Sequence, residues 1–80
     1  MTISDAITKR ISDLIHERGT NIKVAAENGG LTPSTLSSIM SKKSLDPKLS
    51  TLYQIALSFN MTVSELLDFP EMNETLFDDE

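Results

Sequence analysis

Eighty residues, of which 39% are hydrophobic and 24% charged, suffice for one small globular domain. The lack of cysteine excludes a disulfide framework, a thiolate metal site and a thiol nucleophile. The net charge of −5 is uneven: residues 1–67 carry seven basic and six acidic side chains, whereas residues 68–80 carry six acidic ones and no basic one. No apolar run is long enough to span a membrane and the N-terminus has no secretory signal, so the sequence predicts a cytoplasmic protein.

Two helices are predicted in the first thirty residues. Thr2, with Asp5 three residues later, can cap the start of the first, and Gly19 can end it in the left-handed conformation. The second begins after Asn21 as its N-cap and ends at Gly29-Gly30. The residues expected to face the core from these helices are Ile3, Ile7, Ile11, Leu14, Ile15, Ile22, Ala25 and Ala26.

The third helix has the usual signals of a helix start. Thr32 is a good N-cap, Pro33 suits the first helical position, and Leu31 can pack on Leu36 across the cap. Asp46-Pro47 cannot lie inside a helix and marks the next connection.

Two further helices follow that connection. Asn60 can end the fourth, Thr62 and Glu65 form a capping box for the fifth, and Met61 can pack on Leu66. The apolar stripe of the fourth helix consists of Leu52, Ile55, Ala56 and Phe59. No segment alternates with a period of two, so the sequence predicts an all-α fold of five helices.

The second and third helices have features that suggest a function. Only a few residues around Gly29-Gly30 separate them, as in a helix-turn-helix spanning about residues 22–41. Short hydroxyl side chains can approach phosphates and base edges, and Lys42 and Lys43 can neutralise backbone charge. On composition alone, a solvent-exposed serine-rich helix with solubilising lysines remains an alternative. The seven hydroxyl residues in this region are Thr32, Ser34, Thr35, Ser37, Ser38, Ser41 and Ser44.

The order and spacing of four segments resemble the phage-repressor-like helix-turn-helix family of the Cro/cI or Xre type. These segments are Gly30–Ile39, Asp46-Pro47, Thr51–Ala56 and Val63–Leu67, within a likeness that covers about residues 5–68. The resemblance implies a five-helix, lambda-repressor-like domain that places its third helix, about residues 33–41, in the major groove of double-stranded DNA. It also implies a homodimer and a transcriptional regulator, most simply a repressor.

The resemblance further implies which positions touch DNA. Asn21 falls where the start of the second helix meets a phosphate, and the start of the third helix falls where base edges are read. The loop after the third helix falls along the DNA backbone. The DNA-binding residues implied are Asn21, Thr32, Pro33, Ser34, Thr35, Ser38, Ser41, Lys42, Lys43 and Ser44.

Five positions depart from the family pattern. Ile22 replaces a frequent glutamine, Lys42 replaces a glycine in the turn, and Asp46 puts a carboxylate near phosphates. Pro33 and Ser34 stand where long amides or arginines usually make bidentate base contacts, each worth about 1–3 kcal/mol of discrimination. These departures predict modest specificity or readout by DNA shape.

Residues 69–80 form a predicted acidic tail after a domain of residues 1–68. Phe69, Met72 and Leu76 are spaced for one or two amphipathic turns, which could pack on the body, on a dimer mate or on another protein. We expect the tail to tune association without touching DNA. An alternative function is a protein-binding module, such as an antitoxin-like or anti-repressor partner that uses this tail.

Catalysis is not expected from this sequence. His16 has no second histidine and no cysteine to share a metal or to assist a serine nucleophile. No glycine-rich phosphate loop is present. The sequence therefore predicts neither an enzyme nor a cofactor or metal site.

Overall fold

The computed structural model describes residues 2–41, 47–74 and 77 of the chain. These ranges contain α1 (Ile3–Glu17), α2 (Ile22–Asn28), α3 (Pro33–Met40), α4 (Leu49–Ser58), α5 (Val63–Leu66) and α6 (Pro70–Glu74). They contain no strand, so the predicted all-α fold is confirmed. None of the six helices is long and apolar enough to cross a membrane.

Both predicted capping boxes are present. The Thr2 hydroxyl accepts the Asp5 backbone N–H and the Asp5 carboxylate accepts the Thr2 N–H, each at 3.1 Å. The same exchange joins Thr62 and Glu65 at 3.0 and 2.9 Å. Hydrogen bonds from the Thr62 backbone N–H and then from its side chain hold the pKa of Glu65 below its ordinary value. The short helix α5 therefore starts at a position that its own sequence specifies.

The Glu65 carboxylate makes part of the stability depend on pH. Because its folded-state pKa is lowered, it stabilises the protein above the ordinary value of 4.5, and this contribution disappears as the pH falls through the lower folded-state pKa. We expect Glu65→Gln to lower the melting temperature at neutral pH and to have no such effect in strong acid. Thermal denaturation of both proteins as a function of pH measures this effect. An equal difference in melting temperature at neutral pH and in strong acid would contradict the prediction.

Three helices end in the same hydrogen-bonded motif. Gly19, Gly30 and Asn60 all have left-handed backbones, with φ of 60°, 76° and 57°. After α2, the Leu31 N–H reaches the Ala26 carbonyl at 2.8 Å, the 6→1 bond of a Schellman motif. The helix ends predicted at these glycines and at Asn60 are confirmed.

The core lies where α1, α2, α3, α4 and α5 meet, and it consists of the predicted apolar stripes. Ile3, the first residue of α1, departs from its stripe and is 39% exposed. Ile22, Leu52 and Ile15 are half-buried against the core. The fully buried members are Ile7, Ile11, Leu14, Ala25, Ala26, Leu36, Ile39, Ile55, Ala56, Phe59 and Leu66.

The predicted count of five helices is one too low. Phe69 is only 6% exposed, Met72 packs against the core, and Pro70 begins the extra helix α6. The Lys9 ammonium lies 3.1 Å from the Glu71 carboxylate, which ties α6 to α1. Residues 69–74 thus pack on their own domain, the first of the three predicted placements. The division into a domain of residues 1–68 and an acidic tail stays a prediction, and Leu76 lies outside the described residues.

Candidate nucleic-acid interface

The helix-turn-helix is built around two glycines with different roles. Gly30 has the left-handed conformation that turns the chain from α2 toward α3. Gly29 has an ordinary φ of −96° but is buried against α4. A Cβ at Gly29 would overlap the backbone carbonyl oxygen of Gln54 and lie 3.1 Å from the Ser58 Cβ. The lack of a side chain at Gly29 therefore sets how closely the helix-turn-helix packs on α4.

The start of α3 presents ordered hydroxyl groups. The Thr32 Oγ1 accepts the Thr35 N–H at 3.2 Å and lies 2.8 Å from the Thr35 hydroxyl oxygen. Pro33, Ser34 and Thr35 are exposed, whereas the Leu36 side chain is buried. Within the described ranges, the Ser34 hydroxyl makes no hydrogen bond, so it is available to a ligand. One side of α3 thus packs into the core, and the other side exposes hydroxyl groups to solvent.

A recess runs beside this hydroxyl-rich side of α3. Ser34, Thr35, Ser38 and Ile39 form one wall, and Pro47, Lys48 and Thr51 form the other. Among the described residues, no carboxylate lines it and no acidic side chain pairs with Lys48. Lys48 and Thr51 were not predicted as site residues. The sequence marks their segment only as a connection and a helix start, and tertiary packing brings it beside α3.

The charge at the helix starts differs from one helix to another. Asp5, Glu65 and Glu71 lie in the first turns of α1, α5 and α6, where a carboxylate offsets the positive end of the helix dipole. The first turns of α2, α3 and α4 contain no acidic residue. The two helices of the helix-turn-helix therefore keep uncompensated N–H groups, which suits an anionic ligand such as a phosphate.

The remaining predicted site residues lie at the ends of α2 and α3. Asn21 is the N-cap of α2, and its side-chain oxygen accepts the Val24 N–H at 3.0 Å, which leaves its amide N–H groups for another partner. Ser41 is the C-cap of α3, and its hydroxyl donates to the Ser38 carbonyl oxygen at 3.2 Å. Ile22 packs against the core, which explains an apolar residue at that position. The remaining predicted positions, Lys42, Lys43, Ser44 and Asp46, lie outside the described residues.

The acidic residues just before and at the start of α6 have partners within the described part of the chain. Glu71 pairs with Lys9 of α1, which also pairs with Asp13 at 2.8 Å. Asp68 accepts a hydrogen bond from the Asn73 amide at 2.8 Å. The Lys9–Glu71 pair holds the first turn of α6 on α1.

Comparison with known proteins identifies a DNA-binding domain. The model of the Cro/C1-type HTH DNA-binding domain matches residues 10–71. The chain is 35% identical over 63 residues to the HTH-type transcriptional regulator PuuR of Escherichia coli strain K12, and equally to that of Shigella flexneri. These matches cover 79% of the chain but 34% of each relative, so the chain spans about a third of the length of the curated relatives it matches. The similarity favours a DNA-binding regulator over a protein-binding module, and the chain belongs to the family of Cro/C1-type helix-turn-helix DNA-binding domains.

Proposed function

We propose that this chain binds double-stranded DNA sequence-specifically, with α3 in the major groove, and that it regulates transcription as a repressor. The observation that carries the proposal is the exposed, hydroxyl-bearing start of α3, beside a recess to which Lys48 contributes the only charged side chain among the described residues. The family supports DNA binding, and the regulators PuuR support a role in transcription.

The residues divide into those that read bases and those that contact phosphates. Ser34 and Ser38 face the recess from α3, one turn apart, and with Thr32, Pro33 and Thr35 they would approach base edges. Asn21 and Lys48 would contact phosphates on either side of the groove. The loop positions Ser41, Lys42, Lys43 and Ser44 would follow the DNA backbone.

The short side chains limit how much sequence the helix can read directly. A serine makes one hydrogen bond to a base edge, whereas a bidentate pair contributes about 1–3 kcal/mol of discrimination. Modest specificity per half-site makes two half-sites necessary, so we propose a homodimer on an inverted repeat whose half-sites lie roughly 34 Å apart.

Selection from a random duplex library, at low and at near-physiological salt, tests the proposal. We expect enrichment of a short inverted repeat, and for a dimer contacting about six phosphates a log–log salt dependence with a slope near −5. Retention without enrichment would leave a non-specific binder, and no retention at either salt would contradict DNA binding.

Single substitutions separate the two classes of contact. We expect Lys48→Ala to weaken binding to all sequences alike and to reduce the salt slope by about one per protomer, because it removes a phosphate contact. Ser34→Ala should instead change the preference at particular base pairs. Fluorescence anisotropy on an operator panel measures both effects.

The control is Lys9→Ala. The Lys9 ammonium is paired with Asp13 of α1 and Glu71 of α6, so its removal should leave the DNA affinity unchanged. Equal losses from Lys48→Ala and Ser34→Ala on every sequence would argue against this assignment.

A further inference from the structure

The hydroxyl groups at the start of α3 differ in what they already bind. The hydroxyl oxygens of Thr32 and Thr35 lie 2.8 Å apart, and the Thr32 oxygen also accepts the Thr35 N–H at 3.2 Å. Within the described ranges, the hydroxyl groups of Ser34 and Ser38 make no hydrogen bond. The two threonines thus use their hydroxyl groups on each other, whereas the two serines keep theirs for a ligand.

The contact with Thr32 also fixes the position of the Thr35 methyl group. Threonine carries its hydroxyl and its methyl group on the same Cβ, so one χ1 angle places both. Thr35 is exposed and lines the recess beside α3. Because its oxygen is directed at Thr32, its methyl group is the part of the side chain that is left to meet a ligand. A side chain whose rotamer is already set loses little entropy on binding.

The recess is suited to a small apolar group that lies beside a polar one. Ile39 and Pro47 contribute apolar surface to it, and Ser34 and Ser38 contribute hydroxyl groups. The eight residues of α3 include no amide, no arginine and no other charged side chain. None of them can therefore make the bidentate contact that distinguishes base pairs by their polar groups.

One feature of the bases in the major groove matches this surface. Thymine presents its C5-methyl group there, next to the oxygen on C4, whereas cytosine presents an amino group on C4. A serine hydroxyl both donates and accepts, so it can bind either the oxygen or the amino group. Hydroxyl groups alone would not distinguish the two pyrimidines, and the methyl group is the feature that remains to be read.

We propose that α3 recognises the C5-methyl group of a pyrimidine through the methyl group of Thr35, while the Ser34 hydroxyl binds the neighbouring group on C4. The inference rests on the proposed function, because it names the base feature that α3 would meet in the major groove. Thymine and 5-methylcytosine carry this methyl group, and uracil and cytosine lack it. Affinity should therefore follow the methyl group and not the group on C4, and cytosine methylation at this position should strengthen binding.

Replacing thymine by deoxyuridine tests the contact from the side of the DNA, because only the methyl group is lost. The probe is the duplex that the random-library selection enriches, with each thymine replaced in turn, and fluorescence anisotropy gives the Kd of the full chain. We expect Kd to rise about fourfold at the thymine that faces α3, as for the loss of one buried methyl group, and to change little at the others.

Thr35→Ser tests the same contact from the side of the protein. Serine keeps the hydroxyl that pairs with Thr32 and lacks the methyl group. This variant should bind the thymine duplex about fourfold more weakly and show no further loss when the sensitive thymine is replaced by uracil.

The matched control for Thr35→Ser is Thr62→Ser. It removes a methyl group from the threonine that caps α5 and keeps the capping hydroxyl, so both Kd values should stay unchanged. Circular dichroism establishes that both variants are folded.

Cytosine at the sensitive position separates the methyl group from the base that carries it. With guanine opposite, 5-methylcytosine should bind the unmodified chain about fourfold more tightly than cytosine does. The two bases should bind Thr35→Ser equally. Equal affinities of the unmodified chain for both bases would overturn the proposal that the methyl group itself is read.

The outcomes separate this inference from the proposed function. Salt-sensitive binding in which no thymine responds to replacement would overturn the methyl contact and keep DNA binding. The same holds if Thr35→Ser loses as much affinity for the uracil duplex as for the thymine duplex. If no sequence is enriched, equal binding of random pools made with thymidine and with deoxyuridine overturns the contact likewise. No binding to any duplex would overturn the proposed function and this inference with it.

Discussion

Replacing Gly29 by alanine is expected to lower the melting temperature by about 10–20 °C, the result of an overpacking cost of about 2–3 kcal/mol. The added Cβ would overlap the Gln54 carbonyl oxygen, which belongs to the backbone of α4 and cannot rotate away. To relieve the overlap, α2 must move away from α4, and the helix-turn-helix moves with it. Thermal denaturation followed by circular dichroism measures the loss.

The neighbouring glycine supplies the control for this prediction. Gly30 has a φ of 76°, and a Cβ there would meet nothing closer than the Gln54 Nε2, at 3.8 Å. Gly30→Ala therefore incurs only the strain of a left-handed alanine, about 1–2 kcal/mol. If Gly30→Ala destabilised the protein more than Gly29→Ala, the close approach of α2 and α4 would not be the reason why Gly29 cannot accept a side chain.

Arg10→Ala is expected to destabilise the protein by about 2–3 kcal/mol. A hydrogen bond from a charged donor contributes more to stability than one from a neutral donor, and a cation–π contact adds to this contribution. The Arg10 Nε donates to the Leu66 carbonyl at 2.9 Å and an Nη2 donates to the Glu65 carbonyl at 3.0 Å. Both acceptors lie at the C-terminal end of α5, where helical carbonyls lack i+4 partners, and the Glu65 carbonyl also accepts the Asp68 N–H at 3.2 Å. The guanidinium also lies 5.3 Å from the centre of the Phe69 ring, so one side chain joins α1, α5 and the segment before α6.

Lys9 is the matched control for Arg10. It is the adjacent residue on α1 and makes two ion pairs, but its side chain is 50% exposed, and solvent screens such pairs. Lys9→Ala should therefore change the melting temperature much less than Arg10→Ala. A double-mutant cycle of Arg10→Ala with Phe69→Leu would isolate the cation–π contact, and a larger loss from Lys9→Ala would contradict the assignment to Arg10.

The local signals predicted most of the helix boundaries because they act within a few residues. Thr62 and Glu65 form their capping box, and the Thr32 hydroxyl caps α3, through contacts three residues apart in the sequence. Asn60 was predicted as a helix end, and its left-handed φ places it in the same motif as the glycines. Such contacts are independent of the rest of the fold, which is why one sequence is enough to find them.

Contacts between distant segments were not accessible to the same reasoning. Arg10 and Leu66 are 56 residues apart, and no pattern in the sequence pairs a basic residue of α1 with the end of α5. The spacing of Phe69 and Met72 predicts an amphipathic turn but not its partner, and only the structure shows that Phe69 is buried in its own domain. The same holds for Lys48, whose place beside α3 depends on how α4 begins after the connection.

By itself, the sequence determined the all-α class, the helix-turn-helix and the caps of its helices, because short-range hydrogen bonds and apolar periodicity specify them. Only the tertiary structure decided that Gly29 serves close packing and Gly30 the turn, and that Lys48 and Thr51 face α3. These features depend on the distances between helices, and such distances follow from the packing of side chains that are remote in the sequence.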